Sequence, residues 1–347
     1  MQDASNSRNN SIDILKGVGI TLMIMGHIGF GGKFDRYIHS FHMPLFFIVS
    51  GYLYSEKREV PIKVLLLNKV KRFLVPYIFF AIVNYVCWLF VNIKKSNIFA
   101  PLGHLIWHNT EKLPICGAIW FLTAIFWTEV IYIVIQRTVK NRVAKEIIIW
   151  GLSVGISIVQ SYISFTLPLS IDIGIVCMGF YHVGHILRRI ETTLLLNYMV
   201  TFKFNKGKII PLMIVVMLSN FVLTFVTPYI NVKMRWYGIV PAFWGNAILG
   251  TIGFYLLALI IDHEEQFPFV IKIGSLLATM GKNSIVFLGF NQLLILFWNR
   301  MLKQIDATEY VHHLFLALLN LCFSISSLLL FSKVINYKKL NFLIGKK

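Results

Sequence analysis

Charged residues are scarce in this chain of 347 residues, and acidic residues are the scarcest of them. Charged side chains make up 14% of the sequence and hydrophobic ones 57%, with a mean hydropathy of +0.70. An ordinary soluble domain contains about 25% charged residues. The composition therefore excludes a typical soluble fold. It predicts an all-α, polytopic integral membrane protein, with residues 1–347 forming one membrane-embedded domain.

Cysteine is rare as well, and its spacing matches no disulfide or metal pattern. The four cysteines stand far apart: Cys87, Cys116, Cys177 and Cys322. Isolated cysteines in or beside apolar segments behave as small hydrophobic side chains. We therefore predict neither a disulfide framework nor a metal site.

Ten apolar stretches are candidate membrane spans, since a helix needs about 20 residues to cross the hydrocarbon core. Their predicted ranges are 11–30, 38–55, 73–92, 118–136, 146–163, 168–187, 209–226, 238–261, 275–298 and 311–332. The remaining ends are a polar tail, residues 1–10, and a basic tail, residues 333–347. The polar start has no basic region followed by a small-residue cleavage site, so no cleavable signal peptide is predicted.

The distribution of lysine and arginine orients these segments. With the N-terminus in the cytoplasm, 22 of the 33 basic residues fall in cytoplasmic segments, nine in outer loops and two within apolar segments. This bias follows the positive-inside rule and predicts that both termini are cytoplasmic. The net charge of +18 then reflects topology and contact with anionic lipids, so we expect no nucleic-acid partner.

The first apolar segment carries three polar side chains on one helical face. Eleven residues separate Lys16 from His27, which places them within roughly 20° of each other around a helix, and Asp13 lies near the same stripe. A charge at the bilayer centre costs about 2.5–3.5 kcal/mol on insertion scales. This pattern favours a cavity or a reaction path. The alternative is a structural Asp13–Lys16 pair with a packed His27.

Two histidines open the second segment. His39 and His42 are three residues apart and share a helical face, and Pro44 kinks or starts the helix there. Both lie near the outer end of their segment. We therefore expect them close to His27, which lies near the outer end of the first segment.

Several motifs together resemble one family. Asp13-x-x-Lys16 is followed by His27. The second segment contains Phe41-His42-Met43-Pro44-Leu45-Phe46-Phe47 and then Ser50-Gly51-Tyr52. Three further matches are Lys69-x-x-Arg72 before residues 73–77, Trp120-Phe121-Leu122, and Gly281-Lys282-Asn283-Ser284. This set resembles the integral-membrane acyltransferase 3 family. Within it, the chain is similar to the sugar O-acetylases related to fucose 4-O-acetylase, without the appended extracytoplasmic domain of larger members.

The resemblance implies an activity and a location. It implies an O-acyltransferase of the bacterial cytoplasmic (inner) membrane that moves an acetyl or similar group onto a cell-surface glycan or its lipid-linked precursor. Acetyl-CoA, or another acyl-CoA, is the expected donor substrate, and no permanently bound cofactor is expected.

The spacing of the polar residues suggests a division of labour. Lys16 and His27 lie about 16 Å apart along a helix axis, so they cannot act on one atom. We expect Lys16, Lys69 and Arg72 to bind the donor phosphates, and a neutral His27 to act as the base for the acceptor hydroxyl. Asp13, His42 and Glu129 complete the predicted catalytic set. Direct transfer and a covalent acetyl-histidine relay both remain open.

The other polar residues receive more general roles. Glu129 is expected either to orient an imidazole or to pair with a buried lysine such as Lys282. The residues predicted to bind substrate are His39, Trp120, Asn283 and Asn291. At Asn291 the chain departs from the family, in which a histidine is expected after the Gly-Lys-Asn-Ser motif.

Two other classes of function explain intramembrane polar residues equally well on physical grounds. One is a polytopic transporter, and the other is a non-catalytic membrane sensor. The sequence has no internal repeat and no paired broken helices, which argues against an inverted-repeat transporter.

Overall fold

The computed structural model describes residues 10–92, 98–107, 117–198, 205–302, 310–337 and 340–345. Within these ranges the fold consists of α-helices without a β-sheet. The helices are α1 Asn10–Ile28, α2 Gly32–His39, α3 His42–Tyr52, α4 Ile62–Lys69, α5 Val75–Asn92, α6 Ala100–Ile106, α7 Trp120–Thr138, α8 Arg142–Tyr162, α9 Ile171–Tyr198, α10 Lys206–Val226, α11 Val240–Asp262, α12 Pro268–Lys282, α13 Ser284–Leu302 and α14 Tyr310–Tyr337.

Nine helical segments among the described residues are long and apolar enough to cross a membrane. They are α1, the continuous α4–α5 segment, α7, α8, α9, α10, α11, α13 and α14. The prediction of an all-α, polytopic membrane protein is confirmed. The polar tail 1–10 lies outside the described residues except for Asn10, and so does most of the outer loop 93–117.

The predicted span 38–55 is wrong as a single helix. It divides at Ser40-Phe41 into the end of α2 and the 11-residue α3. The backbone of Phe41 is non-helical, and Pro44 lies in the first turn of α3, where a missing N–H is tolerated. The break places His39 and His42 at a corner between two helices.

The predicted span 275–298 is also wrong as a single helix. The chain breaks at Asn283, so that α12 and α13 meet at an angle at this residue. Helix α12 packs closely on α1. The two backbones are so near each other that a Cβ atom at Gly17 would clash with the Leu277 backbone, and one at Gly281 would clash with the Asp13 backbone. The start of α13 therefore lies beside Lys16.

Helix α1 lies inside the helical bundle. It packs against α3, α11, α12 and α13, and Ile14, Leu15 and Ile20 are almost completely buried. Asp13 is therefore buried within the bundle and Lys16 is half-buried, whereas His27, near the end of the helix, is exposed.

A π-helical turn, residues Val70–Leu74, joins α4 to α5 without interrupting the helix. Such a turn inserts one extra residue and commonly occurs at functional sites, because it shifts the direction of the side chains. Arg72 lies in this turn. Opposite it, part of the predicted basic tail forms a 3₁₀ turn, Leu340–Ile344, with Ile344 buried and the Gly345 backbone next to that of Arg72.

Candidate functional site

A polar cavity, here called the inner cavity, lies at the predicted cytoplasmic end of α1. Its polar lining comes from α1, the π-helical turn and the α12–α13 junction: Lys16, Arg72, Lys282, Asn283 and Ser284. Ile344 and Gly345 close one side. Three cationic side chains around one concave surface fit a polyanionic ligand.

The inner cavity continues into an apolar passage. The passage shares Lys16, Arg72 and Ser284 with the inner cavity, and then runs between Phe46, Phe121 and other apolar side chains. Its far end is lined by Met23, Met43 and Leu288. Methionine side chains are unbranched and adaptable, so Met23 and Met43 can shift to accommodate a thin chain.

An outer cavity begins where the passage ends, because Met23, Met43 and Leu288 line both. Four of the predicted site residues meet there: His27, His39, His42 and Trp120. The His39 and His42 rings are 4.9 Å apart between centroids in an edge-on arrangement. The break between α2 and α3 thus brings both histidines to the same cavity as His27.

Hydrogen bonds define the proton positions on two of these histidines. The Nδ1 atoms of His39 and His42 lie 2.9 Å from the Asp35 carbonyl oxygen and 2.7 Å from the Ile38 carbonyl oxygen, respectively. A carbonyl oxygen only accepts, so each Nδ1 carries a proton and donates it. In the neutral rings, Nε2 is then the basic nitrogen.

Gln292 of α13 contacts His27. Its Oε1 accepts from the Gly117 backbone N–H at 2.5 Å, which orients the amide, and its Nε2 lies 3.5 Å from His27 Nδ1. An amide nitrogen only donates, so His27 Nδ1 is the acceptor of this long contact, which favours the tautomer of a neutral ring with its proton on Nε2. His27 and His42 therefore present opposite tautomers.

Asn291, the predicted substrate-binding neighbour of Gln292, does not reach either cavity. It is completely buried, and its Nδ2 donates to the carbonyl oxygens of Phe287 and Leu288 within its own helix. Asn283, also predicted to bind substrate, lies in the inner cavity, and its side chain contacts Thr279 and Asn336. Any ligand it binds would lie at the donor end.

The predicted ionic residues form two pairs. Lys16 Nζ lies 3.3 Å from Asp13 Oδ1, which is buried, while Lys16 itself lines the inner cavity. Glu129 is paired with Lys69, so the pairing expected with Lys282 does not form. This ion pair joins α7 to α4 next to the π-helical turn, so Lys69 is positioned to support Arg72.

Three residues of the outer cavity region were missed in the sequence analysis. Gln292 was passed over in favour of Asn291, and Lys233 in the α10–α11 loop gave no signal at all. Asp35, one turn before His39, was detectable from its i, i+4 spacing. Burial by itself would raise the pKa of the Asp35 carboxyl. Hydrogen bonds from His39 and Tyr229 have the larger combined effect, so the pKa lies below its usual value.

Comparisons with known proteins identify the family of the chain. The acyltransferase domain that defines the acyltransferase 3 family matches residues 9–335, so the chain belongs to that family. The nodulation protein NolL of Mesorhizobium japonicum is 28% identical over 198 residues, which cover 51% of this chain and 48% of NolL. The chain thus spans about half the length of this curated relative. No solved structure matches the chain.

Proposed function

We propose that this acyltransferase moves an acetyl group from cytosolic acetyl-CoA to a hydroxyl of a cell-surface glycan or its lipid-linked precursor, in the bacterial inner membrane. The observation that carries the proposal is a row of three adjoining cavities that share lining residues: a cationic inner cavity, an apolar passage and an outer cavity lined by three histidines. Each part matches one part of such a reaction.

The inner cavity suits the phosphate groups of the donor. Lys16, Arg72 and Lys282 supply three positive charges, and arginine is well adapted to bidentate phosphate contacts. The pantetheine arm is thin and largely uncharged, so it can extend along the apolar passage past Met23 and Met43. In this proposal the thioester lies at the outer cavity while the nucleotide stays on the cytoplasmic side.

The tautomers of the histidines suggest separate roles in the transfer. His42 Nε2 is unprotonated, so it is the better candidate for the base that removes the proton of the acceptor hydroxyl. His27 carries its proton on Nε2, which can donate to the carbonyl oxygen of the acetyl group. This assignment differs from the sequence-based expectation that His27 is the base.

The proposed reaction is a direct transfer. The acceptor oxygen attacks the acetyl carbonyl carbon while its proton passes to His42, and the negative charge on the carbonyl oxygen is stabilised by His27. Collapse of the tetrahedral intermediate breaks the carbon–sulfur bond, and the coenzyme A thiolate takes the proton from His42 as it leaves.

The reaction class is tested by mass spectrometry of surface glycans. Cells with the intact gene, a deletion, His42→Ala or His263→Ala are compared, with protein amounts matched. His263 is an exposed residue at the end of α11 and serves as the control. We expect one acetyl group to disappear from a glycan in the deletion and in His42→Ala, and to persist in the control. Identical glycans in all four strains would reject the proposal.

The two histidine roles are separated by glutamine substitutions. Glutamine retains an N–H donor near the place of Nε2 but is not a base, so we expect His27→Gln to lose about tenfold in transfer rate. His42→Gln should lose on the order of 10²–10⁴-fold, the usual contribution of a general base. Equal, complete inactivation by both variants would instead support His27 as a base or as a covalent acyl carrier.

A further inference from the structure

The loop between α10 and α11 forms a tight hairpin beside the outer cavity. Asn231 and Trp236 form two backbone hydrogen bonds, with N···O distances of 2.8 and 3.0 Å. The Asn231 side chain also accepts from the Met234 N–H at 3.2 Å. These bonds define the conformation of the hairpin tip, residues 232–235.

A buried ion pair anchors this tip to the protein. Arg235 contacts Asp172 at the start of α9 through two N···O distances, 2.7 and 3.2 Å, and both side chains are buried. Gln160 donates to the same carboxylate at 2.7 Å and accepts from the hydroxyl of Tyr237. Arg235 has a φ of +61°, a strained value for a residue with a side chain, and the ion pair offsets that strain.

The anchored hairpin places Lys233 in the wall of the outer cavity. Val232 and Met234 line the cavity on either side of it. Tyr229, at the base of the hairpin, packs its ring 5.7 Å from that of His39 and donates its hydroxyl to Asp35 at 2.9 Å. The hairpin therefore forms part of the wall around the three histidines.

The ionisable side chains that line the outer cavity are all basic among the described residues. They are His27, His39, His42 and Lys233, and no carboxylate belongs to this lining. Lysine is the only one of these types that is fully charged at neutral pH. In a concave recess lined by basic groups, such a charge attracts an anion more strongly than it would on an open surface.

We propose that the acceptor is an acidic glycan, in which a carboxylate or phosphate close to the acylated hydroxyl binds the Lys233 ammonium. The inference rests on the proposed function and adds the chemical class of the acceptor to it. Lys233 is a specificity-determining residue, and the Arg235–Asp172 pair positions it. A neutral glycan lacks a group that makes this contact, so it would bind less tightly.

The test combines identification of the acceptor with substitution of the lysine. The gene deletion is complemented with wild type, Lys233→Gln, Lys233→Arg or Lys33→Gln, and the acylated unit is characterised by mass spectrometry and NMR. Lys33 is an exposed lysine of α2 that does not line the outer cavity, so it is the matched control. Equal protein amounts in membranes exclude an effect of misfolding.

We expect the acyl group that depends on the gene to lie on a sugar that carries a carboxylate or phosphate, or on its direct neighbour. Lys233→Gln should reduce the acylated fraction several-fold, while Lys233→Arg and Lys33→Gln retain it. A neutral repeating unit, or full acylation with Lys233→Gln, would overturn this inference and leave the acyltransferase proposal intact. Glycans that do not change after gene deletion would overturn both.

Discussion

Asn291 and Gln292 are neighbours on α13 with very different surroundings. Among the described residues the buried Asn291 Oδ1 has no hydrogen-bond partner, whereas Gln292 lines the outer cavity and contacts His27. We expect Asn291→Leu to change kcat/KM by less than about threefold, because an apolar group of similar size replaces an amide that reaches neither cavity and whose oxygen is unsatisfied. Gln292→Leu should lower kcat about tenfold, since His27 loses the hydrogen bond that orients its ring.

Steady-state transfer assays on purified protein in lipid nanodiscs check this pair. Each variant is the control for the other, because the two substitutions are chemically alike and adjacent in the chain. A loss of activity in Asn291→Leu at unchanged thermal stability would show that Asn291 acts in the site despite its burial.

A buried ion pair attaches α4, which leads into the π-helical turn that carries Arg72, to α7. Lys69 and Glu129 join α4 to α7, and Glu129 is 2% exposed. Removal of one partner leaves an uncompensated buried charge, which costs about 3–5 kcal/mol. We therefore expect Lys69→Met to lower the thermal unfolding temperature markedly. The double variant Lys69→Met, Glu129→Leu should recover most of the loss, because replacement of both charges is often close to neutral.

Lys63→Met serves as the control for this comparison, since Lys63 is exposed on the same helix. It should unfold at the wild-type temperature. Equal destabilisation of the single and double Lys69 variants would mean that the loss does not come from an uncompensated Glu129 charge.

At the scale of the whole molecule, the apolar passage lies between the inner cavity and the outer cavity and shares lining residues with both. Leu288 lines both the apolar passage and the outer cavity. A bulky side chain there should block the thioester from the histidines, so we expect Leu288→Trp to lower the transfer rate on the order of 10²-fold, the cost of a misplaced reacting group. Binding of coenzyme A at the inner cavity should persist.

Calorimetric titration with coenzyme A and the transfer assay together examine this prediction. The control is Leu296→Trp, two turns further along α13, where the leucine is 52% exposed on the surface of the bundle. Normal transfer by Leu288→Trp would show that the donor reaches the outer cavity by another route. Loss of coenzyme A binding would indicate a collapsed inner cavity.

The sequence by itself determined the class of the protein, its helical architecture and the two ends of the path. Hydropathy and charge bias are properties of single segments, and the spacing of Lys16 and His27 follows from the geometry of one helix. The motifs that resemble the acyltransferase 3 family were sufficient for membership, which the comparison confirmed.

Only the tertiary structure decided which residues share a cavity. Pro44 indicated a kink or a helix start in the second segment, but only the structure located the breaks at Phe41 and Asn283. Gln292 lines the outer cavity and Asn291 is buried, because adjacent residues point about 100° apart around a helix. The helices that pack against α13 set its orientation. Lys233 belongs to the outer cavity because an ion pair between residues 63 positions apart anchors its loop, and such a contact arises only in the folded chain.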